Sequence, residues 1–333
     1  MTGTVELCDV QAAALLLRGR VRRTPLLCCD AAPKAHQRLL FKCENLQTTG
    51  AFKARGALHF LLQLERAEAS RVKGVATYSS GNHGAAVAWA AGEKSLQCMV
   101  FVPEDIPIAK ERAIRDYGGK VVRAGRTSKD RQLAALEAAD KEGLTIVPPF
   151  DHPWIVAGQG TVGLEIVEQC EEASIFPDRV LVPVGGGGLL AGIAVAIKSL
   201  LPRTQVIGVE PVNAASMAAA LKMGEPVEID LGQTIADGLR PVQVGSLTHR
   251  LADGRVDSMM QIEDSAIVSA MRFLFERMKL VVEPSGAAAL GACLEQRTGD
   301  LEGTTLVVLS GGNIDPGRFL DLVVTGAAER PPG

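Results

Sequence analysis

A chain of 333 residues with 47% hydrophobic content can bury a large core and exceeds the usual span of one compact unit, so two domains are expected. Lys and Arg total 35 against 38 Asp and Glu, a formal net charge of −3 with no basic run, which argues against nucleic acid as a partner. The seven cysteines form no C-x-x-C pair and read as reduced thiols of a cytoplasmic protein, while Glu6 and Asp9 precede any apolar stretch, so no targeting peptide is expected.

In chain order, short β-branched runs alternate with turns and with helical segments rich in alanine and leucine, the pattern of parallel βαβ units. A helix is predicted over Ala51–Glu65, then strand Val72–Thr77, helix His83–Ala91, strand Gln97–Val102, helix Ala109–Tyr117, strand Lys120–Arg123 and helix Ser128–Lys141. The series continues with helix Gly158–Cys170, strand Arg179–Val184, helix Leu189–Leu200 and strands Gln205–Glu210 and Thr304–Leu309. No linker interrupts it, so a second domain is expected to be inserted: residues 74–150 as a small α/β unit, residues 1–73 and 151–333 as the larger one. Only the tail Glu329–Gly333 looks disordered. Val180–Ile197 carries no charge and reaches the length of a membrane span, but Pro183 and a run of glycines favour a buried strand, a turn and a helix, and no membrane partner is expected.

Four segments carry candidate chemistry. Gly185, Gly186, Gly187 and Gly188 join a predicted strand to a helix; the backbone can approach an anion there and the helix start offers unpaired N–H donors, so the run is a phosphate cup. Gly186, Gly188 and Ala191 also satisfy G-x-G-x-x-[GA], with Glu210 ending the next strand, which keeps a nicotinamide dehydrogenase open as a rival reading. Lys53 opens a helix beside Phe52, where the dipole and burial both disfavour its charge and make it a good nucleophilic amine. Ser79-Ser80-Gly81-Asn82-His83-Gly84 is a second anion cradle, suited to a substrate carboxylate, and Ser310 places a hydroxyl before Gly311 and Gly312. All four segments follow strand ends, where open α/β sheets bind ligands.

Gly50-Ala51-Phe52-Lys53-Ala54-Arg55-Gly56, the Ser79–Gly84 loop, Ala157–Thr161, the tetraglycine, Glu283-Pro284-Ser285-Gly286 and Ser310-Gly311-Gly312-Asn313 stand in one order along nearly the whole chain. In that order they resemble the fold-type II pyridoxal-phosphate enzymes of the serine racemase and serine/threonine dehydratase (ammonia-lyase) group. The resemblance implies a fold like the tryptophan synthase β subunit, α/β with two open, twisted, mostly parallel sheets flanked by helices. It also implies pyridoxal 5′-phosphate as cofactor, a small amino-acid substrate and a homodimer. Lys53 would form the Schiff base, Phe52 would lie beside the ring, Asn82 would bond its phenolic oxygen, Gly185 to Gly188 would hold the phosphate, Glu283 would line the cofactor, and Ser310 would meet the pyridine nitrogen. Ser79, Ser80, Asn82 and His83 would receive the substrate carboxylate.

The resemblance further implies that the freed lysine takes the Cα proton and the β-hydroxyl departs, leaving a keto acid and ammonia; racemisation would need Ser80 as a second base. Racemase-like members build a divalent-cation site from an acid matching Glu210, a carbonyl matching Ala214 and an acid matching Ser216, and without that last carboxylate the site should be much weakened. Pro148-Pro149-Phe150-Asp151-His152-Pro153 is closer to the dehydratase version and tilts the expectation to elimination. Regulation by isoleucine is not expected, because the chain ends soon after the last predicted strand. The leading expectation is a dehydratase of L-threonine or L-serine type, with serine racemase and 3-hydroxyaspartate dehydratase as alternatives.

Overall fold

The computed structural model describes residues 3–29, 37–68, 72–79, 81–106, 108–125, 127–295 and 303–326. In chain order these form α1 Leu7–Leu17, β1 Leu26–Cys29, β2 Gln37–Cys43, α2 Lys53–Glu68, β3 Gly74–Thr77, α3 Asn82–Gly92, β4 Gln97–Val102, α4 Ile108–Asp116, β5 Lys120–Arg123, α5 Ser128–Glu142 and β6 Thr145–Ile146. There follow α6 Pro153–Ala173, β7 Arg179–Pro183, α7 Gly188–Leu200, β8 Gln205–Pro211, α8 Ser216–Met223, α9 Ser246–Ala252, β9 Ser258–Ile262, α10 Asp264–Phe273, α11 Pro284–Leu294, β10 Gly303–Leu309 and α12 Pro316–Leu320.

The strands form two sheets. The larger has the order β1-β2-β10-β7-β8-β9, with β1 antiparallel to β2 and the remaining neighbours parallel. The smaller, β5-β4-β3-β6, is parallel throughout. Helices cover both faces of the large sheet, so β7 is buried apart from its first residue. On one face α10 and α11 pack against Phe41, Leu181, Val209 and Val307; on the other α6 and α7 pack against Leu40, Val180, Val206 and Leu306. The uncharged run from Val180 to Ile197 is thus β7, a turn and α7, and among the described residues no helix is long and apolar enough to cross a membrane.

Local chemistry sets the boundaries. The Thr127 side chain accepts from Asp130 N while Asp130 answers on the Thr127 N–H, and Gly143 takes the left-handed conformation that stops α5. α6 begins at Pro153, five residues before the predicted start, because proline suits the first helical turn and the His152 ring accepts from Trp154 N at 3.1 Å. The predicted tail at Glu329–Gly333 lies outside the described residues.

β10, the last strand in sequence, lies in the middle of the large sheet, with Leu309 level with Cys43 of β2 and Val307 level with Leu181 of β7. The loops leaving β2, β7 and β10 therefore emerge at one edge. Beneath them lies a buried charge network. Arg55 reaches Glu44 through Nε at 2.8 Å and Nη2 at 2.7 Å, and Glu165 through Nη1 at 2.7 Å and Nη2 at 2.8 Å. Lys42, also buried, donates to Glu165 Oε2, Gln169 Oε1 and the Thr24 carbonyl. Burial works against ionising Glu44, yet Arg55, Lys42 and the Thr24 hydroxyl hold its carboxyl below the usual range.

Removing one partner from such a network strands the others without compensation. Arg55→Met should lower the unfolding free energy by about 3–5 kcal/mol in urea denaturation, the cost of an unpaired buried charge. A loss below about 1 kcal/mol, the size of a surface pair, would show that the network is not a structural anchor.

Candidate active site

Lys53 owes its position to the turn before it. Thr49 and Gly50 both have positive φ, 66° and 73°, and reverse the chain between β2 and α2. Ala51 then pairs antiparallel with Gly311, Phe52 N donates to the Ser310 carbonyl at 3.1 Å, and Gly312 N donates to the Gly50 carbonyl at 2.9 Å. These bonds bind the loop after β2 to the loop after β10. Lys53 is the first residue of α2; its Nζ donates to the Pro149 carbonyl at 2.7 Å and lies 5.0 Å from the centroid of the Phe52 ring. Although the residue as a whole is half-buried, its amine is desolvated, which pulls its pKa down to about 8.

The glycine run follows β7. Gly187 has φ +89° and caps α7, a conformation that favours glycine. A Cβ on Gly186 would fall inside the Phe150 ring, so the chain crosses that ring only without a side chain. From behind, Thr248 Oγ1 donates to the Gly186 carbonyl at 2.8 Å, and Asp151 accepts the amides of Ser246, Leu247 and Thr248 at 3.0 to 3.1 Å. The loop is thereby held open at the start of a thirteen-residue helix, where backbone N–H groups and dipole suit a phosphate.

Asn82 begins α3 and bridges to the large sheet. Its Nδ2 donates to Glu283 Oε1 at 2.6 Å, and its Oδ1 accepts from Asn313 Nδ2 at 2.8 Å. Asn313 also donates to the Thr49 carbonyl at 2.7 Å, and Glu283 N donates to the Gly311 carbonyl at 3.1 Å. Burial, reinforced by the Asp237 carboxylate, pushes Glu283 up to about 8 against the opposing bond from Asn82. Ser310 is buried at the end of β10, and Ser79 is half-buried after β3. Ser80 lies outside the described residues. The His83 ring is buried, its Nε2 hydrogen-bonded with the Val147 carbonyl at 3.2 Å, and burial followed by the nearby Lys53 charge lowers its pKa to about 3. Among the described residues its Nδ1 is buried without a hydrogen-bond partner, and its backbone N–H lies in the first turn of α3.

At the expected remnant of a cation site the Glu210 carboxylate is engaged by the backbone. Both Glu210 oxygens accept backbone amides, Oε1 from Met217 at 2.8 Å and Oε2 from Ala218 at 3.0 Å, so the carboxylate caps α8. The Ser216 hydroxyl is buried with no hydrogen-bond partner and brings no charge. Among the described residues no group of three or more His, Cys, Asp or Glu side chains could hold a metal.

Phe150, Asp151, Thr248 and Asn313 were absent from the expected site. The first two and Asn313 stand in the motifs already quoted, and only Thr248 lay in a stretch without a signal.

A desolvated amine, a glycine cup at a helix start and a second helix start thus meet at the carboxyl edges of β2, β3, β7 and β10. They define an α/β enzyme with a phosphate-binding helix start beside a desolvated amine. The family model described as pyridoxal-phosphate dependent enzyme matches residues 17–311, and the chain belongs to that family. It is 43% identical over 307 residues to the L-threonine ammonia-lyase of Geobacter sulfurreducens, covering 92% of this chain and 75% of that one. Over 93% of this chain and 95% of the other it is 38% identical to the serine racemase of Schizosaccharomyces pombe. It is 36% identical to the L-threo-3-hydroxyaspartate ammonia-lyase of Saccharomyces cerevisiae over 95% of each. Among solved structures, the serine racemase from Dictyostelium discoideum superposes with a TM-score of 0.85 at 37% identity, over 94% of this chain and 100% of that chain. The matched family spans the Gly186–Ala191 stretch and sets the nicotinamide reading aside.

The residues present fit pyridoxal 5′-phosphate: the glycine run brings backbone alone to the start of α7, where free N–H groups suit a phosphate, and the lysine can shed its proton near neutrality. Gly186→Val should weaken cofactor uptake by the apoprotein at least about tenfold, the loss of one good anion contact; unchanged affinity in a fluorescence titration would remove the cup from the site. Because Lys53 is protonated below its pKa, the rate at which the apoprotein takes up the cofactor should rise with pH through about 8. A midpoint near 10.4, roughly the ordinary lysine value, would contradict the desolvation.

Proposed function

We propose that the chain is an ammonia-lyase that converts a small β-hydroxy amino acid of the L-threonine or L-serine type to a 2-keto acid and ammonia. The observation that carries this reading is Lys53, a desolvated amine at the start of α2 with a pKa of about 8, suited to giving up and taking back a proton at working pH. Bound pyridoxal phosphate supplies the electron sink that stabilises negative charge on the substrate Cα. Gly185 to Gly188 would hold its phosphate on the α7 amides, Phe52 would pack beside the ring, and Asn82, steadied by Glu283 and Asn313, would bond its phenolic oxygen. Ser310 would offer the pyridine nitrogen a neutral hydroxyl, a partner that suits elimination.

Ser79, Ser80, Asn82 and the His83 amide receive the substrate carboxylate at the α3 start. Lys53 Nζ then takes the Cα proton. Loss of that proton and the β-hydroxyl, the elements of water, followed by hydrolytic release of ammonia, gives the keto acid. The similarity to the Geobacter sulfurreducens lyase favours this outcome. Racemisation is the second reading, favoured by the similarity to the Schizosaccharomyces pombe racemase, with Ser80 as the base on the opposite ring face.

The wider setting belongs to the same proposal. Residues 74–150 form a small unit inserted into the larger one, supported by a four-stranded sheet whose strands all fall between Gly74 and Ile146. The seven free thiols support a reducing, cytoplasmic location, and the family resemblance supports a homodimer.

The holoenzyme incubated with L-threonine and L-serine should form keto acid faster than D-enantiomer, and Lys53→Ala should lose at least about a hundredfold in rate, the usual worth of a positioned base. D-serine as the main product would move the assignment to racemase. No product of either kind from cofactor-loaded protein would overturn both readings.

A further inference from the structure

An ion pair outside the proposed chemistry joins a helix of the small sheet to a turn on the large one. Lys110, in the first turn of α4, pairs its Nζ with Asp237 Oδ2. The two residues come from opposite sides: α4 lies between β4 and β5 of the small sheet, and Asp237 opens a short 3-10 turn, Asp237–Leu239, packed on the large one. That turn is held against the cofactor site at two points. Gly238 N donates to Ser285 Oγ at 2.9 Å, two residues beyond Glu283, and the Gly238 carbonyl backs Gly185 so closely that a Cβ there would approach it to 2.9 Å. The turn is rigid on its other flank as well, where Asp264 accepts from Thr234 Oγ1 at 2.5 Å and Ile235 N at 2.9 Å.

The pair therefore stands beside the ring site. Both of its charges are felt at Glu283, Asp237 raising and Lys110 lowering that carboxyl. Unlike the buried network under Arg55, it is open to water, the side chains being 32% and 39% exposed. An ion pair so exposed is weakly held, and a competing anion can replace one member of it. An ammonium is also an unselective point charge that accepts any carboxylate brought within reach.

We propose that Asp237 determines side-chain selectivity: by neutralising Lys110 beside Glu283, and by its own negative charge, it disfavours substrates that carry a second carboxylate and directs the site to uncharged hydroxy amino acids. The inference deepens the lyase reading and rests on it for the substrate class. Lys110 touches none of the reacting atoms; it is a latent anion site that Asp237 keeps filled. Without Asp237 the ammonium is free to take a side-chain carboxylate, and specificity shifts by removal of a repulsive and competing group rather than by a new contact.

The test compares kcat/KM of the holoenzyme for L-threonine and L-threo-3-hydroxyaspartate in the wild type, in Asp237→Asn and in Asp237→Asn with Lys110→Gln. Asp237→Asn should move the ratio towards hydroxyaspartate by about fivefold or more, mainly through KM, the scale of an exposed ion pair. The double variant should return it to within about twofold of the wild type, the spread expected when no charge pair remains. An unmoved ratio in Asp237→Asn, or a shift that survives in the double variant, would overturn the assignment. A general loosening of the cleft would slow both substrates and leave the ratio fixed, so it also counts against the proposal. Absorbance titrations of the same holoenzymes with L-alanine and L-aspartate give a binding ratio that needs no turnover. A binding ratio that shifts as described while neither substrate yields keto acid would support the Lys110–Asp237 assignment and fault only the lyase reading.

Discussion

The guanidinium of Arg55 holds together the ground on which the site stands. It meets the Glu44 carboxylate just after β2 and Glu165 and Thr161 on α6, while belonging itself to α2, two residues beyond Lys53. A charge taken so far from water costs several kcal/mol unless every partner is in place. Two carboxylates, each bonded through both oxygens, meet that demand only if β2, α2 and α6 adopt one mutual arrangement. The start of α2 is therefore fixed from below, and with it the direction of Lys53.

From above, the same segment is fixed by the chain's last strand. The Ala51–Gly311 bridge and the Phe52–Ser310 hydrogen bond place the lysine beside the hydroxyl expected at the far end of the ring. Asn313 extends the fastening to Thr49 and Asn82, and Asn82 to Glu283. Residues from four distant parts of the chain thus share one polar cluster, and the glycine run contributes by lacking side chains rather than by having them.

Much of this is legible in the sequence because it is local. β4 and β5 match their predicted ranges, β7, β8 and β10 lie within a residue or two of theirs, the tetraglycine and Ser310 stand at strand ends, and Lys53 stands at a helix start as the pattern puts it. What escapes is what depends on distant partners. β2 carries Lys42 in its interior and runs into Glu44, which in sequence resembles a charged surface stretch; both are buried because Arg55 and Glu165 meet them. β9 and β6 are short and partly exposed, with no uninterrupted apolar run to mark them. The bond of the His83 ring to Val147 and those of both Glu210 oxygens to the α8 amides likewise have no local mark in the sequence. The support of the glycine loop by Phe150, Asp151 and Thr248 is invisible because it joins segments far apart in the chain, a separation at which local pattern carries no information.

The central claim is that this fold aims a single lysine at a phosphate-anchored carbonyl. Borohydride reduction of the holoenzyme fixes that lysine as a secondary amine, and peptide mapping then identifies it. The phosphopyridoxyl group is expected on the peptide containing Lys53. Its appearance on another lysine, or the absence of any labelled peptide from cofactor-loaded protein, would contradict the account.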